Sequence, residues 1–256
     1  MFNITVLGSS SDGNCIHVDT GDFVFLLDAG LTHKDFTTLM RKHKLKISNI
    51  ECILVTHEHS DHIRGLEKLV GMYDIPVISS CGTLLSSNIG MTDVTYVEDG
   101  TSIRYKNCYI SSYKVPHDTN EPLCFSIENS VGEKLLYLTD CGSPKGLEFP
   151  PHDIYIIEAN YEYKIMKYNV DNEKINICRM LRASTGKGHL EINETIQILK
   201  ESVGEKTSHI VLSHLSSENS NKEDFINKVT NVFPSKNVLI AKEGLNIKYG
   251  KNPKPF

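Results

Sequence analysis

Ile53-Leu54-Val55-Thr56-His57-Glu58-His59-Ser60-Asp61-His62 is the stretch on which the reading of this chain turns. The apolar run predicts a buried strand, and the polar run that follows predicts a loop at its mouth. Three histidines and two carboxylates fall within the six residues His57–His62. Imidazole nitrogens and carboxylate oxygens at this density suit borderline divalent metals such as zinc or manganese, and iron tolerates the same donors. His57 and His59 are two apart, so along an extended backbone they share a face, and Asp61 continues it. His62 then points toward a second place. The spacing therefore predicts two adjacent metal ions rather than one.

Around this stretch the composition is that of an ordinary globular protein. The chain has 256 residues, of which 39% are apolar and 23% charged, enough to bury a sizeable core. Its net charge is -5 and its pI about 6.1. A surface that grips nucleic acid everywhere is basic, so any polyanion contact here is local. The seven cysteines (15, 52, 81, 108, 124, 141 and 178) form no CxxC pair and read as small buried hydrophobes of a reducing compartment. Cys141 follows Asp140 and lies beside the candidate site in sequence, with core packing its default role. The first residues lack the pattern of a signal peptide, and no apolar run approaches the roughly 18 residues that span a bilayer. The expectation is a cytoplasmic protein with no membrane partner.

Short strands are predicted at Asn3–Leu7, Asn14–Asp19, Phe23–Leu27 and Glu51–Val55, with helices over Lys34–His43 and Ile63–Tyr73. Strands return at Pro76–Ser79, Val94–Val97, Ser102–Tyr105, Cys108–Val115, Leu123–Glu128 and Lys134–Leu138. The last third alternates strands at Ile154–Ile157, Ile210–Leu212 and Val238–Ala241 with helices over Glu191–Lys200 and Asp224–Phe233. No repeat or linker divides the chain, so residues 1–256 are expected to form one α/β (α+β) domain. Two sheets face to face with helices outside, a four-layer αββα sandwich, is the economical packing.

Three more candidate ligands stand where apolar strands end. His117 follows Val115-Pro116, Asp140 follows Tyr137-Leu138-Thr139, and His214 follows Ile210-Val211-Leu212-Ser213. A lone histidine at a strand end is commonly a structural hydrogen-bonder. Three such residues on one rigid scaffold are the pattern of functional loops.

With these residues in place the chain resembles the metallo-β-lactamase superfamily, through His57-x-His59-x-Asp61-His62 followed by His117, Asp140 and His214. The resemblance implies that superfamily's fold and a dinuclear centre. His57, His59 and His117 would hold one metal, Asp61, His62 and His214 the other, and Asp140 would bridge them. An aspartate at position 140, where the β-lactamases themselves commonly have cysteine, resembles the branch with RNase Z, RNase J and glyoxalase II. Finer motifs are similar to YycJ/WalJ-type hydrolases: Gly8-Ser9-Ser10-Ser11-Asp12-Gly13-Asn14, Asp28-Ala29-Gly30, Glu158-Ala159-Asn160, Gly188-His189-Leu190, and Ser213-His214-Leu215-Ser216 with Asn219. Tyr161 and Glu191 depart from that pattern, as does the longer opening turn. No large RNase J-type insertion or RNase Z-type exosite arm is evident.

The resemblance implies a hydrolase, a phosphodiesterase of nuclease or exonuclease type, in which a hydroxide held by two divalent cations attacks phosphorus. Asp61 and His189 are the expected catalytic groups. Asp61 would orient the nucleophile, and His189 would bind the scissile phosphate or protonate the leaving oxygen, a helix-start hydrogen bond being its bland alternative. Ser10, Asn14, Asn160, Lys187 and His189 are the expected substrate contacts. Glu58 is read either as a support fixing a histidine tautomer or as an exposed loop carboxylate. The segment Lys164–His189 is locally basic, with Tyr161, Tyr163 and Tyr168 nearby, and offers a grip for a phosphate backbone. The expected partner is a nucleic acid or nucleotide substrate, and a homodimer is compatible with the sequence. A cyclic-nucleotide phosphodiesterase is the alternative. Thioester or β-lactam hydrolysis and a non-catalytic metal-binding module rank below it.

Overall fold

The computed structural model describes residues 1–87, 89 and 93–250. In chain order the elements begin with β1 (Phe2–Gly8), β2 (Cys15–Asp19), β3 (Val24–Leu27), α1 (His33–Lys42) and β4 (Ile50–Leu54). There follow α2 (Ser60–Ile63), α3 (Leu66–Tyr73), β5 (Val77–Ser79), α4 (Cys81–Ser86), β6 (Val94–Tyr96), β7 (Ser102–Tyr105), β8 (Cys108–Lys114) and β9 (Leu123–Glu128). The remainder is β10 (Lys134–Leu138), β11 (Ile154–Glu158), α5 (Tyr163–Asp171), α6 (Ile177–Ser184), α7 (Ile192–Ser202), β12 (His209–Ser213), α8 (Lys222–Val232), β13 (Asn237–Ile240) and β14 (Asn246–Tyr249). The described residues fall into two compact units: those within 1–114, 119–134 and 242–250 in the first, Val115–Asp118 and Leu135–Ala241 in the second.

The first unit carries a mixed sheet in the order β14-β1-β2-β3-β4-β5-β6. Its β14, β1, β2 and β3 are antiparallel neighbours, and from β3 to β6 pairing is parallel. β7, β8 and β9 of this unit are antiparallel neighbours and belong to the other seven-stranded sheet. Of the parallel strands, β3, β4 and β5 are buried along almost their whole length, whereas the edge strand β6 is largely exposed. Helix α1 starts at Thr32, whose hydroxyl caps the Asp35 amide, and it buries Phe36 and Met40 one turn apart. These pack with Leu26, Ile53, Leu66 and Leu69. Each such side chain contributes about 1.5–3 kcal/mol by leaving water. Parallel pairing, with Leu27 opposite Leu54, delivers the ends of β3 and β4 to the same edge.

In the second unit β10, β11, β12 and β13 are all parallel. Leu138 pairs with Ile157, Ile157 with Leu212, and Glu158 with Ser213, so Asp140, Glu158 and His214 leave one edge side by side. Every residue of Ile154–Glu158 is buried. Helix α7 is started by a reciprocal capping box of Glu191 and Glu194 and buries Ile192, Thr195, Ile196 and Leu199. Helix α8 buries Phe225 and Val229.

The predicted strands and helices are present with shifted ends, and among the described residues α2, α4, α5, α6 and β14 are helices and a strand beyond those expected. The helix expected over Ile63–Tyr73 is two helices. Its break is at Gly65, whose N–H donates to the Ala29 carbonyl (2.8 Å) and where a Cβ would stand 2.4 Å from the Leu31 carbonyl oxygen. The strand geometry expected for Asp61 is also corrected. β4 stops at Leu54, His59 caps a new helix, and Asp61 and His62 sit within α2. The turn into the helix, not strand alternation, directs them.

Candidate metal centre

In the first unit the site is built on Asp28, which is fully buried and in left-handed backbone (φ 58°). Its Oδ1 accepts the Thr56 N–H (2.8 Å) and hydroxyl (3.0 Å), and its Oδ2 accepts Nδ1–H of His62 (2.8 Å). A carboxylate only accepts, so the His62 proton is on Nδ1 and the lone pair on Nε2. The single hydroxyl proton of Thr56 goes to Asp28, so Thr56 Oγ1 accepts from Nδ1 of His57 (3.0 Å). His57 therefore also carries its lone pair on Nε2. The rings of His57 and His59 stand edge to face at 4.9 Å, and those of His57 and His62 are 4.1 Å apart. One carboxylate thereby sets two imidazoles in the tautomer that a cation requires.

Asn14 and Gly30 hold this loop from below. Asn14 N–H donates to the Asp61 carbonyl (2.7 Å), and its amide donates to the Ser10 carbonyl (3.1 Å) and the Asp61 carbonyl (3.3 Å) and lies 3.1 Å from His62 Nε2. Gly30 passes so close that a Cβ on it would lie 1.7 Å from the Asp61 carbonyl oxygen. Only glycine fits there. Glu58, read as a tautomer support or an exposed carboxylate, instead accepts the Asn120 N–H (2.9 Å) and the Thr83 hydroxyl (3.4 Å).

In the second unit the centre of the network is Glu158, which has no solvent exposure. Its Oε1 takes Nδ1 of His189 (2.7 Å) and Nδ1 of His214 (3.1 Å), and its Oε2 takes the N–H groups of Cys141 (2.8 Å) and Leu190 (3.1 Å). Asp140 is held by the Thr139 hydroxyl (2.7 Å) and lies 3.1 Å from His214 Nδ1. His117 donates Nδ1–H to the Gly188 carbonyl (3.0 Å) and presents Nε2 3.8 Å from Asp140 Oδ2. One donor atom from each of Asp140, Glu158, His189 and His214 lies within 4.8 Å of the others. Asp140 (φ 45°) and His214 (φ 52°) share the left-handed backbone of Asp28.

Burial pushes the Glu158 carboxyl up, but the His189 charge and the hydrogen bonds from His189 and His214 outweigh it and hold the group below the usual carboxylate range. Burial pushes His189 down, and the Glu158 charge and hydrogen bond, with Asp140, raise it on balance. The two directions agree on a buried imidazolium–carboxylate pair. Burial also drives the Cys141 thiol up, and its Sγ donates to the Ser143 carbonyl (3.2 Å), so Cys141 packs rather than offering a thiolate.

Buried imidazoles with fixed tautomers beside carboxylate oxygens are a donor set that fits a divalent cation. The expected substrate contacts are distributed unevenly. Lys187 is exposed and His189 is partly so. Asn14 is buried under His62, Ser10 closes a turn through its carbonyl to Gly13 N–H (3.0 Å), and the Asn160 amide donates to the His214 carbonyl (2.8 Å). Asn14 and Asn160 thus orient site residues. Asp28 and Glu158 were not foreseen as functional. Each closes a run of apolar strand residues and lies in a motif already noted, Asp28-Ala29-Gly30 and Glu158-Ala159-Asn160, where no role was attached to it.

The Beta-lactamase superfamily domain family matches residues 24–214. The chain is 30% identical over 230 residues to exodeoxyribonuclease YycJ of Bacillus anthracis, covering 86% of this chain and 85% of that one. It is 29% identical to exodeoxyribonuclease WalJ of Streptococcus pneumoniae, covering 87% and 84%. Among solved structures, the metallo-β-lactamase fold protein YhfI of Bacillus subtilis superimposes with a TM-score of 0.71 at 17% identity, covering 97% of this chain and 100% of that one. The fold implied by the histidine motif is therefore the observed one. The chain belongs to the metallo-β-lactamase superfamily and is a metallo-hydrolase with that superfamily's fold.

Proposed function

We propose that this protein is a phosphodiesterase that holds two divalent cations, zinc or manganese, and cuts nucleic acid from a 5′ end. The observation that carries the reading is the similarity to two exodeoxyribonucleases over more than four fifths of the chain. In this reading the two units act as one hydrolase domain, since the matched family region spans residues of both. His57, His59, His117, Asp61, His62, His214 and Asp140 are the residues that would hold the cations. When bound, such a pair lowers the pKa of a water and takes up charge on the phosphoryl oxygens.

The chain's own residues do the rest. Asp28 and Thr56 keep His57 and His62 in the ligating tautomer. Asn14 and Gly30 fix the Asp61 backbone. Asp61 orients the attacking water. Glu158 grips Nδ1 of His189, which leaves its Nε2 to give a proton to the departing oxygen as the phosphorus–oxygen bond breaks. Lys187 meets a non-bridging oxygen at the mouth of the site. No helix among the described residues is long and apolar enough to cross a membrane.

The test is to load the protein with zinc or manganese and offer it 5′-phosphorylated DNA, RNA and cyclic mononucleotides, with Asp61→Ala as the control. Release of mononucleotides from the 5′ end of DNA or RNA, absent in the control, is the expected result. Turnover of the cyclic compounds alone would replace the nuclease reading with the small-substrate one.

A further inference from the structure

Helices α5 and α6 form a hairpin whose composition differs from the rest of the molecule. Residues 163–189 hold six lysines and arginines against two carboxylates, whereas the other residues hold 21 against 30. Four of the ten exposed large apolar side chains among the described residues also fall here: Tyr163, Tyr168, Ile177 and Leu181. The inner faces are accounted for, because Met166, Val170, Ile175, Met180 and Ala183 pack together with Tyr161. The exposed side chains are therefore surplus to holding the hairpin together.

The arrangement interleaves cations with aromatic faces. Lys164 and Tyr168 are one turn apart on α5, so they share a face. The Lys174 ammonium sits 5.0 Å above the Tyr168 ring. Lys167 is paired with Asp171, Arg179 with Glu218 and Arg182 with Asp118, whereas Lys164, Lys174 and Lys187 are exposed. The hairpin is also tied to the candidate site. The His189 N–H donates to the Ala183 carbonyl in the last turn of α6 (2.9 Å), and Arg182 bridges to Asp118 (3.0 Å), the neighbour of His117.

We propose that the α5–α6 hairpin is a docking surface for single-stranded nucleic acid, with bases stacked on Tyr163 and Tyr168 and phosphates held by Lys164, Lys174 and Lys187. This rests on the nuclease reading and adds where the strand lies. Stacking on a tyrosine requires a base with an exposed face, which a duplex does not offer, so the surface selects single strands. Local positive charge in a chain that is acidic elsewhere fits a polyanion and gives it one place to settle. A strand on the hairpin is led toward His189 by the direct continuation of α6.

The experiment compares Tyr168→Ala and the double variant Lys164→Ala/Lys174→Ala with the unaltered holoenzyme. The substrates are a 5′-phosphorylated single-stranded DNA of about 20 nucleotides and bis(p-nitrophenyl) phosphate. The expected result is a rise in KM for the oligonucleotide of about tenfold in Tyr168→Ala. In the double variant the salt dependence of DNA binding becomes shallower by about 1.4 in the log–log slope, as two lost phosphate contacts require. Turnover of bis(p-nitrophenyl) phosphate, too short to reach the hairpin, stays within twofold. All altered residues are exposed, and circular dichroism checks that the fold is intact. An active parent whose variants keep its KM and salt slope overturns the docking surface and leaves the nuclease reading standing. A parent that binds and cuts no oligonucleotide overturns both. Loss of self-association in Leu181→Ser, with DNA affinity unchanged in every variant, reassigns the face to a second copy of this chain.

Discussion

Nδ1 of His189 stands 2.7 Å from Oε1 of Glu158, a carboxylate shut away from solvent. That contact makes the two side chains one proton-holding unit, and it yields a leaving-group test. Glu158→Gln or His189→Ala is expected to slow cleavage of a dinucleotide by about 10²–10⁴-fold, the usual worth of a positioned acid. With p-nitrophenolate as the leaving group no proton is needed and the loss shrinks to a few-fold. Rates on the two substrates, measured at equal metal content, check this. Equal losses on both would remove His189 as the proton donor.

Asp28 is the matching element of the first unit. In Asp28→Asn an amide replaces one acceptor and the His62 tautomer is no longer imposed. Metal affinity is expected to fall about 10–100-fold. Competition against a chromophoric chelator measures it, and unchanged affinity would show that the tautomer is set elsewhere.

Gly30→Ala places a methyl group 1.7 Å from the Asp61 carbonyl oxygen, closer than any real contact. The backbone must move, and overpacking of this kind costs at least about 1–3 kcal/mol. The urea midpoint is expected to drop, and the metal content of the purified variant with it.

Chelation tests the ions themselves. A ligand bound only by the folded state at about 100 times its Kd adds about 2.7 kcal/mol. For a chain of this size that corresponds to a fall in Tm of roughly 5–10 °C on stripping. Differential scanning fluorimetry, with zinc or manganese restored afterwards, reads it directly.

The histidine run and most strands were legible because each has a local signature: an apolar run, a turn, a dense set of donors. What escaped was tertiary. Glu158 acquires its role from the register that sets it opposite Ser213, next to the His214 that follows. The expected alternation from His57 to Asp61 failed because His59 caps a helix, and capping by histidine leaves no strong mark in sequence. The long helix broke at Gly65 for want of room beside Leu31, a fact about a loop more than thirty residues earlier. Helices α5 and α6 were legible as charge and aromatic content but not as helices, since Asn169 interrupts the first and Asn172 and Asn176 give the stretch between them the composition of a loop.

Asp28, Asp140 and His214 all adopt a left-handed backbone, which glycine, asparagine and aspartate enter most readily and β-branched residues avoid. Evolution at these three positions is therefore hemmed in twice, by the donor each presents and by the bend each makes. Valine or isoleucine there fails in folding before any question of reactivity arises. Asparagine keeps the bend while discarding the negative charge. It is the substitution that separates what Asp28 and Asp140 do as architecture from what they do as chemistry.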